Sequence, residues 1–422
     1  MKRILIITLL TLAITTKHAF ASLTLEAAIN SAIENNYELK SSEYSYRAAR
    51  SEKLKALGGF LPKVEINVNN GSRKTKIGNQ ARIDGDVDKK SFTASQNIFN
   101  GFGSVAEVKK ANSIVKRERA IKDSKAQEIS LNVVKSYLDI LKYQKLLSKG
   151  AENFKSQKNL LYYIRRKFKV KDATKSEIAK AEADYIKAKN DQSMNKNNLD
   201  LVKASFSRYT GINPDEIGSL EEVKEEVKVN NEIEELFKVA LEQNPEVRAA
   251  KYGFSAAKHN ANVSKAALSP KVTLNFDISE EKNSIYLNNQ EERDASVYLN
   301  FNIPIFNSGQ NYFDISSTSN SKKKEKYNYE AVKRQIHNSI IEYSNKQRNS
   351  EASYKSAKEL ERANKIYLRT LRQEEKFGTK SIIELLEAKQ NLYRSQIEVI
   401  NLYYDKIYSG FELKALVGKL VN

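Results

Sequence analysis

The sequence predicts a mainly α-helical chain with a β-barrel contribution, built from two tandem repeats of long antiparallel coiled-coil helices and a β-hairpin. The 422 residues include only 5 Pro and 15 Gly, no Trp and no Cys, and 29% are charged, a composition that favours long helices. The two halves also match each other at an offset near 207 residues. In each half, segments of alternating apolar and polar residues follow the first helix.

The chain begins with a segment that is typical of a secretory signal peptide. Lys2 and Arg3 precede the apolar run 4–14, and Ala19-Phe20-Ala21 forms a small-residue cleavage site. A transmembrane anchor is the alternative, but the apolar run is roughly half of the ~20 residues that a spanning helix needs. We therefore expect residues 1–21 to be a signal peptide and the mature chain to be exported.

The internal repeat extends over both halves of the mature chain. Matched residues keep a constant order: Asn36 with Asn244, Pro62 with Pro270, Ile98-Phe99-Asn100 with Ile305-Phe306-Asn307, Glu177 with Glu384, and Gly211 with Gly418. Two unrelated helical domains of shared composition would not keep Pro, Gly and Phe in one register. The repeat predicts a first unit at 22–211, a linker at 212–231 that contains an acidic run, and a second unit at 232–422.

Each half is expected to contain the same elements in the same order. A helix of about 35 residues (25–57, then 236–268) ends where Gly or Pro appears. Hairpin strands are predicted at about 62–72 and 91–99 in the first half, and at about 270–279 and 294–305 in the second. Polar loops join them at 72–90 and 280–293. A long helix (103–168 in the first half) with heptad-like apolar spacing follows, then a turn (169–174 or 378–380) and a returning helix of about 35 residues.

The predicted strands each have one apolar and one polar face. Such strands suit a small soluble sheet that caps a coiled coil, or the wall of an outer-membrane barrel. Four strands cannot close a barrel, and open edges in lipid would leave backbone groups unpaired at a cost of several kcal/mol each. If the strands enter a membrane, several subunits must therefore share one barrel, and three chains would supply twelve strands.

With its repeat order and two segments, PIFNSG at 304–309 and FGTKSIIELLEA at 377–388, the chain resembles TolC-like outer-membrane efflux proteins. The resemblance covers essentially the whole mature chain. It implies a homotrimer with a twelve-stranded barrel in outer-membrane lipid and a long helical tunnel in the periplasm. It also implies a passive exit duct that works with a periplasmic adaptor protein and an inner-membrane pump or export ATPase.

The resemblance also implies which residues form the site. The periplasmic entrance or gate is expected at Lys380, Glu384, Glu387, Ser176 and Glu177. The helix-tip turns that contact the adaptor are expected at Val170, Lys171, Phe377, Gly378 and Thr379. The strand-to-helix corners are expected at Gly101, Gly103, Pro304 and Gly309. The chain departs from the family pattern at Lys171, which stands where Gly is usual and where a Cβ disfavours positive φ, and in having Glu where Asp is more usual.

Acidic residues have a physical role at such an entrance. Three copies of Glu384 around an axis would attract cations, and basic partners such as Lys380 would relieve their repulsion, so that closure could depend on a few weak ion pairs. The alternative is that Glu384 and Glu387 are ordinary solvated helix positions.

The sequence indicates no enzyme and no cofactor. The mature chain has two His, His259 and His337, without zinc-ligand spacing, and Gly101-Phe102-Gly103 lacks the third Gly of a nucleotide loop. The net charge of +19 is dispersed among acidic residues, so we expect solvated helix faces and no nucleic-acid partner. The alternative function is a periplasmic coiled-coil protein without a pore. Within transport, small-molecule efflux and protein secretion stay open.

Overall fold

The computed structural model describes residues 23–76, 78, 83–217, 219–223, 232–283, 291–377 and 379–420. The predicted signal peptide lies outside them. The elements are α1 (Leu25–Asn35), α2 (Tyr37–Gly58), β1 (Lys63–Thr75), β2 (Ile83–Phe99), α3 (Gly103–Lys169), α4 (Lys175–Thr210), α5 (Ile233–Gln243), α6 (Pro245–Ala266), β3 (Lys271–Asn283), β4 (Glu291–Asn302), α7 (Gln310–Lys376) and α8 (Ile382–Leu416), with one 3₁₀ turn at Pro214–Glu216.

The described residues form two compact units. One unit contains α1, α4, the 3₁₀ turn and the parts of α3, α7 and α8 that fall within residues 129–228 and 347–411. The other contains α2, α5, α6, the four strands, the first parts of α3 and α7, and the chain from residue 412 onwards. None of the helices in the described part of the chain carries an apolar stretch of the length and purity that crossing a bilayer requires.

The longest helices agree with the predicted pattern. α3 and α7 each contain 67 residues, on the order of 100 Å at 1.5 Å per residue, and α4 and α8 contain 36 and 35. The four helices carry buried apolar residues at coiled-coil spacing, for example Val134, Leu138 and Leu141 on α3.

The predicted single helices at 25–57 and 236–268 are wrong, because each is divided in two at an asparagine. Asn36 and Asn244 leave the helical region, with ψ of 125° and 123°. Asn244 Oδ1 then accepts hydrogen bonds from the backbone N–H groups of Glu246 and Val247, and Pro245 occupies the first helical position. The side-chain amides of both asparagines also bond to a returning helix: Asn36 to Tyr209 O at 3.4 Å, and Asn244 to Leu416 O at 2.7 Å.

The four strands form one antiparallel sheet in the order β1-β2-β3-β4. The strands reach further than predicted: β1 and β2 pair from Lys63 opposite Ser95 to Thr75 opposite Ile83, and β2 and β3 from Val87 opposite Asn283. The prediction of polar loops over 72–90 and 280–293 is therefore wrong where these residues are paired. Most side chains of these segments are polar or charged, and Ile83 and Val87 are the only large apolar residues of 83–90, so the apolar alternation that reveals a strand is weak there. Residues 77, 79–82 and 284–290 of those loops lie outside the described residues.

The corner between β2 and α3 requires a residue without a Cβ at position 101. Gly101 has φ of +65°, and a Cβ there would lie 2.2 Å from Ser269 Cβ and 3.1 Å from Ala266 O. Gly103 begins α3, where a Cβ would lie 3.2 Å from Ala266 Cβ. At the second corner, Pro304 follows β4, and Gly309 has φ of +74° with Phe313 as its nearest contact at 3.4 Å.

A tyrosine on α3 fixes the beginning of the described chain to the linker. Leu23 forms a parallel bridge with Leu220, and the buried Tyr137 hydroxyl lies 2.7 Å from Leu23 O and 2.8 Å from Glu221 O. Its one proton is shared between the two carbonyls, and burial raises the pKa of Tyr137 from 10.0 to about 12. Of the predicted linker, residues 218 and 224–231 lie outside the described residues.

We predict that Gly101→Ala lowers the free energy of unfolding by at least about 2 kcal/mol. Alanine is strained at the positive φ of this position, and its Cβ would also clash with Ser269. Gly309→Ala is the matched control, since it carries the strain without the clash, and should cost about 1 to 2 kcal/mol. Urea unfolding followed by circular dichroism measures both. Equal losses in the two variants would show that the contact with Ser269 is unimportant.

We predict that Tyr137→Phe lowers the free energy of unfolding by about 1 to 3 kcal/mol, because two shielded carbonyls lose their donor. Since the folded pKa of Tyr137 is raised, the hydroxyl's contribution is complete below pH 10 and is lost as pH approaches 12. The difference between wild type and variant should therefore narrow over that range in guanidinium unfolding. Tyr162→Phe, at an exposed position of the same helix, is the control and should leave stability nearly unchanged at every pH.

Candidate functional site

The first helix-tip turn has the shape expected of glycine, although lysine occupies it. Lys171 has φ of +62°. The N–H of Asp172 donates to Lys167 O at 2.9 Å, the long-range bond of a helix end closed by a left-handed residue. In the second repeat the N–H of Thr379 donates to Glu374 O at 3.1 Å, the same bond at the same spacing. The turn therefore keeps its shape with lysine in place of glycine, although lysine is strained at this positive φ.

The predicted residue Gly378 lies outside the described residues, while its neighbours are placed. Thr379 Oγ1 also donates to Glu374 O at 2.8 Å, which closes the end of α7. Phe377 and Val170 are 84% and 75% exposed, so an apolar side chain projects into solvent beside each turn. Such exposed apolar groups at two adjacent tips are suited to contact with another protein.

The equivalent glutamates Glu177 and Glu384 have different partners. Glu177 closes a capping box at the start of α4: its Oε2 accepts from the Thr174 N–H at 2.6 Å, and its own N–H donates to Thr174 Oγ1 at 3.2 Å. The Thr-x-x-Glu spacing is the sequence signature of this box, a signal that the predicted gate role of Glu177 left out. Ser176 is exposed beside it.

In the second repeat, the side chain of Ser381 caps the helix, and the carboxylate of Glu384 pairs with a lysine instead. Ser381 Oγ accepts from the Glu384 N–H at 3.3 Å, and Glu384 Oε2 lies 3.5 Å from Lys380 Nζ. That oxygen is shielded from solvent and forms no hydrogen bond within the described part of the chain. Among the described residues, the carboxylate of Glu384 is thus held by an ion pair alone.

The packing of α8 leaves Glu384 half-buried and Glu387 exposed in the single chain. Ile382 and Leu386 pack with α3 and α4 in one apolar cluster, and Leu385 and Ala388 pack with α7 in another. Glu387, three residues after Glu384, is exposed, so the two carboxylates lie near each other on the remaining side of the helix.

One basic residue of this region was missed by sequence reasoning. Burial and the nearby guanidinium of Arg372 lower the pKa of Lys389 on α8, against the opposing effect of Glu375. Glu375 is itself paired with Lys167 at 3.5 Å, which joins α3 to α7. No signal in the sequence reveals Lys389, since its environment comes from a helix that precedes it in the chain. Among the described residues, no group of three or more His, Cys, Asp or Glu could hold a metal ion.

The register of the sheet places most of its apolar side chains on one face over four rows. Directly opposed residues share a face, and one face carries Ile66, Phe92, Ile278 and Ala295 in a row, followed by Val64, Ala94, Phe276 and Val297. The next two rows contain Gln96, Leu274 and Leu299, then Phe99, Val272 and Phe301. The opposite face carries mainly polar and charged residues, together with Tyr298. The apolar band is about 20 Å long at ~3.4 Å per residue.

The apolar band is uncovered and ends in exposed aromatic residues at the corners. Val297 and Phe301 are each 66% exposed. Where the strands meet the long helices, further large apolar side chains are exposed: Phe99, Phe102, Ile305, Phe306, Tyr312 and Phe313. An uncovered apolar band bounded by aromatic residues is typical of a surface that faces lipid.

The chain belongs to the outer membrane efflux protein family, whose model matches it twice, over residues 28–211 and 236–419. The family resemblance and the tandem repeat inferred from the sequence are thereby confirmed, and the chain is an outer-membrane protein.

Relatives and solved structures cover nearly the whole chain. The outer membrane efflux protein BepC of Brucella suis is 21% identical over 98% of this chain and 89% of its own length. The alkaline protease secretion protein AprF of Pseudomonas aeruginosa is 21% identical over 92% and 83%. The solved Campylobacter jejuni CmeC outer membrane channel is 17% identical with a TM-score of 0.81, over 94% of this chain and 85% of that one, which shows a shared fold.

We predict that Lys171→Gly raises the free energy of unfolding by about 1 kcal/mol, because glycine adopts the positive φ without strain. Lys158→Gly, at an exposed interior position of the same helix, is the control and should lower it by about 1 kcal/mol. Thermal unfolding of the purified mature protein measures both. A loss of stability in Lys171→Gly would mean that the lysine side chain makes a compensating contact.

Proposed function

We propose that this family member is one subunit of a passive export duct: a homotrimer with a shared twelve-stranded barrel in the outer membrane, continued by a helical tunnel in the periplasm. The observation that carries the proposal is the four-stranded sheet with one apolar face, one polar face and two terminal strands, β1 and β4. In lipid each terminal strand needs a partner for its backbone groups. Four strands are also too few for a closed barrel, so further copies must supply those partners.

The helix tips support an entrance at the other end of the duct. The half-buried Glu384 and the exposed Glu387 lie on the side of α8 that takes no part in its two apolar clusters, and three copies with this side towards the axis would place six carboxylates around it. Lys380 at 3.5 Å balances part of that charge. An acidic ring of this kind favours cations over anions. Val170 and Phe377 are the residues that we expect to contact a periplasmic adaptor.

The cargo class stays open between two kinds of export. One relative is named for alkaline protease secretion, and others are named cation efflux system proteins. The duct would join either an export ATPase or an inner-membrane pump, and it would need no catalytic group or cofactor. The second candidate, a periplasmic coiled-coil protein without a pore, leaves the uncovered apolar band unexplained.

Single-channel recording in planar bilayers tests the proposal. We expect the mature wild-type protein to insert and conduct with cation selectivity. Glu384→Gln plus Glu387→Gln should lower the cation-to-anion permeability ratio by roughly threefold or more, because charge near the axis dominates selectivity. The matched control is Glu152→Gln plus Glu359→Gln, which neutralises two exposed carboxylates elsewhere on the helices and should leave the ratio unchanged.

The outcomes separate the pore from its entrance. A mature protein that stays in solution and never inserts contradicts the duct and favours the coiled-coil alternative. Insertion with unchanged selectivity in the Glu384 and Glu387 variant contradicts only the acidic entrance.

A further inference from the structure

The chain itself contains one contact between a first repeat and a second repeat. β2 of the first repeat pairs with β3 of the second, and α3 contacts α6 through Ser113 and Ser255, whose hydroxyl oxygens lie 3.0 Å apart. These contacts lie within one compact unit. The internal repeat relates β2 and α3 to β4 and α7 at an offset of 207 residues, and β3 and α6 to β1 and α2 at an offset of 208. β4 and α7 of one copy, with β1 and α2 of another, therefore offer the same combination of surfaces.

Two further contacts join α3 to α6, and both depend on a positive charge. Arg248 Nη1 on α6 lies 3.4 Å from Asp123 Oδ2 on α3. Lys116 Nζ on α3 lies 5.7 Å from the centre of the Tyr252 ring on α6, within the range of a cation–π interaction. These two contacts fix which turns of the two helices lie side by side.

The equivalent positions of α7 and α2 carry side chains of the same chemistry. Glu330 on α7 and Lys40 on α2 stand at the positions of the ion pair. Lys323 on α7 and Tyr44 on α2 stand at the positions of the cation–π pair. Because β1 and β4 lie at opposite edges of the sheet, a second copy is needed to bring them together in the way that β2 and β3 meet.

The face of α2 that carries Lys40 and Tyr44 is uncovered in the single chain. Lys40, Tyr44 and Ala48 lie on one side of the helix at a spacing of four residues, and all three are exposed, Tyr44 by 66%. The equivalent residues of α6 are partly or fully buried: Arg248, Tyr252 and Ala256. Since α6 has α3 as its neighbour on that side, the difference in burial shows where α2 lacks one.

The matching face of α7 is uncovered as well. Asn320 is exposed and Tyr327 is 71% exposed, on either side of Lys323 along the helix. At the equivalent positions of α3, Ser113 is 5% exposed and Ala120 is fully buried. α7 therefore lacks a neighbour on the side where α3 contacts α6.

The side chains on these two faces keep room for a partner from another copy. Glu330, Lys40 and Tyr44 each contact a neighbour on their own helix: Lys333 at 2.9 Å, the Tyr37 ring at 5.6 Å and the Arg47 guanidinium at 5.4 Å from the ring centre. A carboxylate has a second oxygen and an aromatic ring has a second face. The contacts within each helix are therefore compatible with contacts between copies.

The sheet can be continued with the same offsets. Two pairs on the apolar face of β2 and β3 serve as templates: Ala94 opposite Phe276, and Gln96 opposite Leu274. The offsets convert them into two pairs between copies: Phe301 opposite Val68, and Ile303 opposite Ile66. All four of these apolar side chains are between 63% and 73% exposed in the single chain. Joining β4 to β1 in this register therefore places apolar residues beside apolar residues on the same face.

We propose that β4 and α7 of one copy pack against β1 and α2 of the next copy in the register in which β2 and α3 pack against β3 and α6 within the chain. Glu330 then pairs with Lys40 of the next copy, and Lys323 lies over the ring of its Tyr44. The inference rests on the proposed function, which requires further copies, and it specifies the surface, the register and the residues through which they meet.

Disulfide cross-linking tests the register, because the chain contains no Cys. Val68→Cys plus Phe301→Cys places two thiols directly opposite each other, with Cβ atoms about 4.5 to 5.5 Å apart and near the distance that a disulfide needs. We expect oxidation of the mature oligomer to convert most chains into covalent trimers on a non-reducing denaturing gel. The matched control, Asn70→Cys plus Phe301→Cys, is two residues out of register on the same face and should cross-link at least about fivefold less.

A charge exchange tests the helix contact. Lys40→Glu or Glu330→Lys alone should shift the dissociation equilibrium of the trimer in detergent by roughly tenfold towards monomer, because three weak ion pairs are reversed together. The double variant should recover most of that loss. Lys40→Glu plus Glu342→Lys is the control, since it places the lysine at an exposed position about three turns further along α7, and it should not recover the loss.

The outcomes distinguish the register from the duct. Cross-linking of the Val68 and Phe301 variant that does not exceed that of the control would overturn the proposal, as would a Lys40 and Glu330 double variant no more stable as a trimer than the single variants. If the wild-type protein still inserts and conducts, only the register is wrong. A mature protein that stays monomeric and never conducts contradicts the proposed function itself.

Discussion

The backbone of the two terminal strands is the constraint on which the rest of the structure depends. β1 and β4 each pair on one side only, and the face that they share with β2 and β3 is apolar and uncovered. In water this arrangement would expose a large apolar surface, and in lipid it would leave a row of unpaired amides. Both costs disappear when other copies continue the sheet around a closed wall. Under the proposed function, an oligomer is therefore a condition for the strands to exist in a membrane.

The two repeats end their helices with the same backbone geometry but with partly different residues. Asn36 and Asn244 both interrupt the first helical stretch and bond to a carbonyl near the end of the returning helix. Gly211 and Gly418, at φ of +75° and +79°, follow those returning helices. At the helix tips the first repeat uses an unusual residue, because Lys171 adopts the positive φ that Gly usually adopts. The repeat therefore preserves backbone geometry more strictly than residue identity.

The sequence predicted those features that depend on periodic burial, and it missed those that depend on single hydrogen bonds. The seams of α3 and α7 carry heptad-like apolar residues, so their lengths could be predicted closely. No proline follows Asn36, so the sequence gives no sign of the helix break there. In the other half Pro245 follows Asn244, and this pair does indicate a helix break. In the strand extension from Ile83 to Lys90, only Ile83 and Val87 are large apolar residues, so the alternation with Asp84, Asp86 and Asp88 is too weak to stand out from a polar loop. Lys389 owes its environment to a helix distant in sequence, and its lowered pKa could not be predicted at all.

Glu177 and Glu384 have different bonding partners, and this difference bears on how an entrance of this kind could open. Glu177 is committed to its own helix, since Thr174 donates to it from both backbone and hydroxyl. Releasing it would cost a capping interaction of about 1 kcal/mol or more. Ser381 caps the helix in place of Glu384, and among the described residues the Glu384 carboxylate pairs with Lys380 alone, in a partly exposed ion pair worth at most about 1 kcal/mol. Under the proposed function, the carboxylates free to exchange partners during opening are thus those of the second repeat. On that proposal, the first repeat would supply the fixed part of the entrance, and α8 with the end of α7 would supply the part that moves.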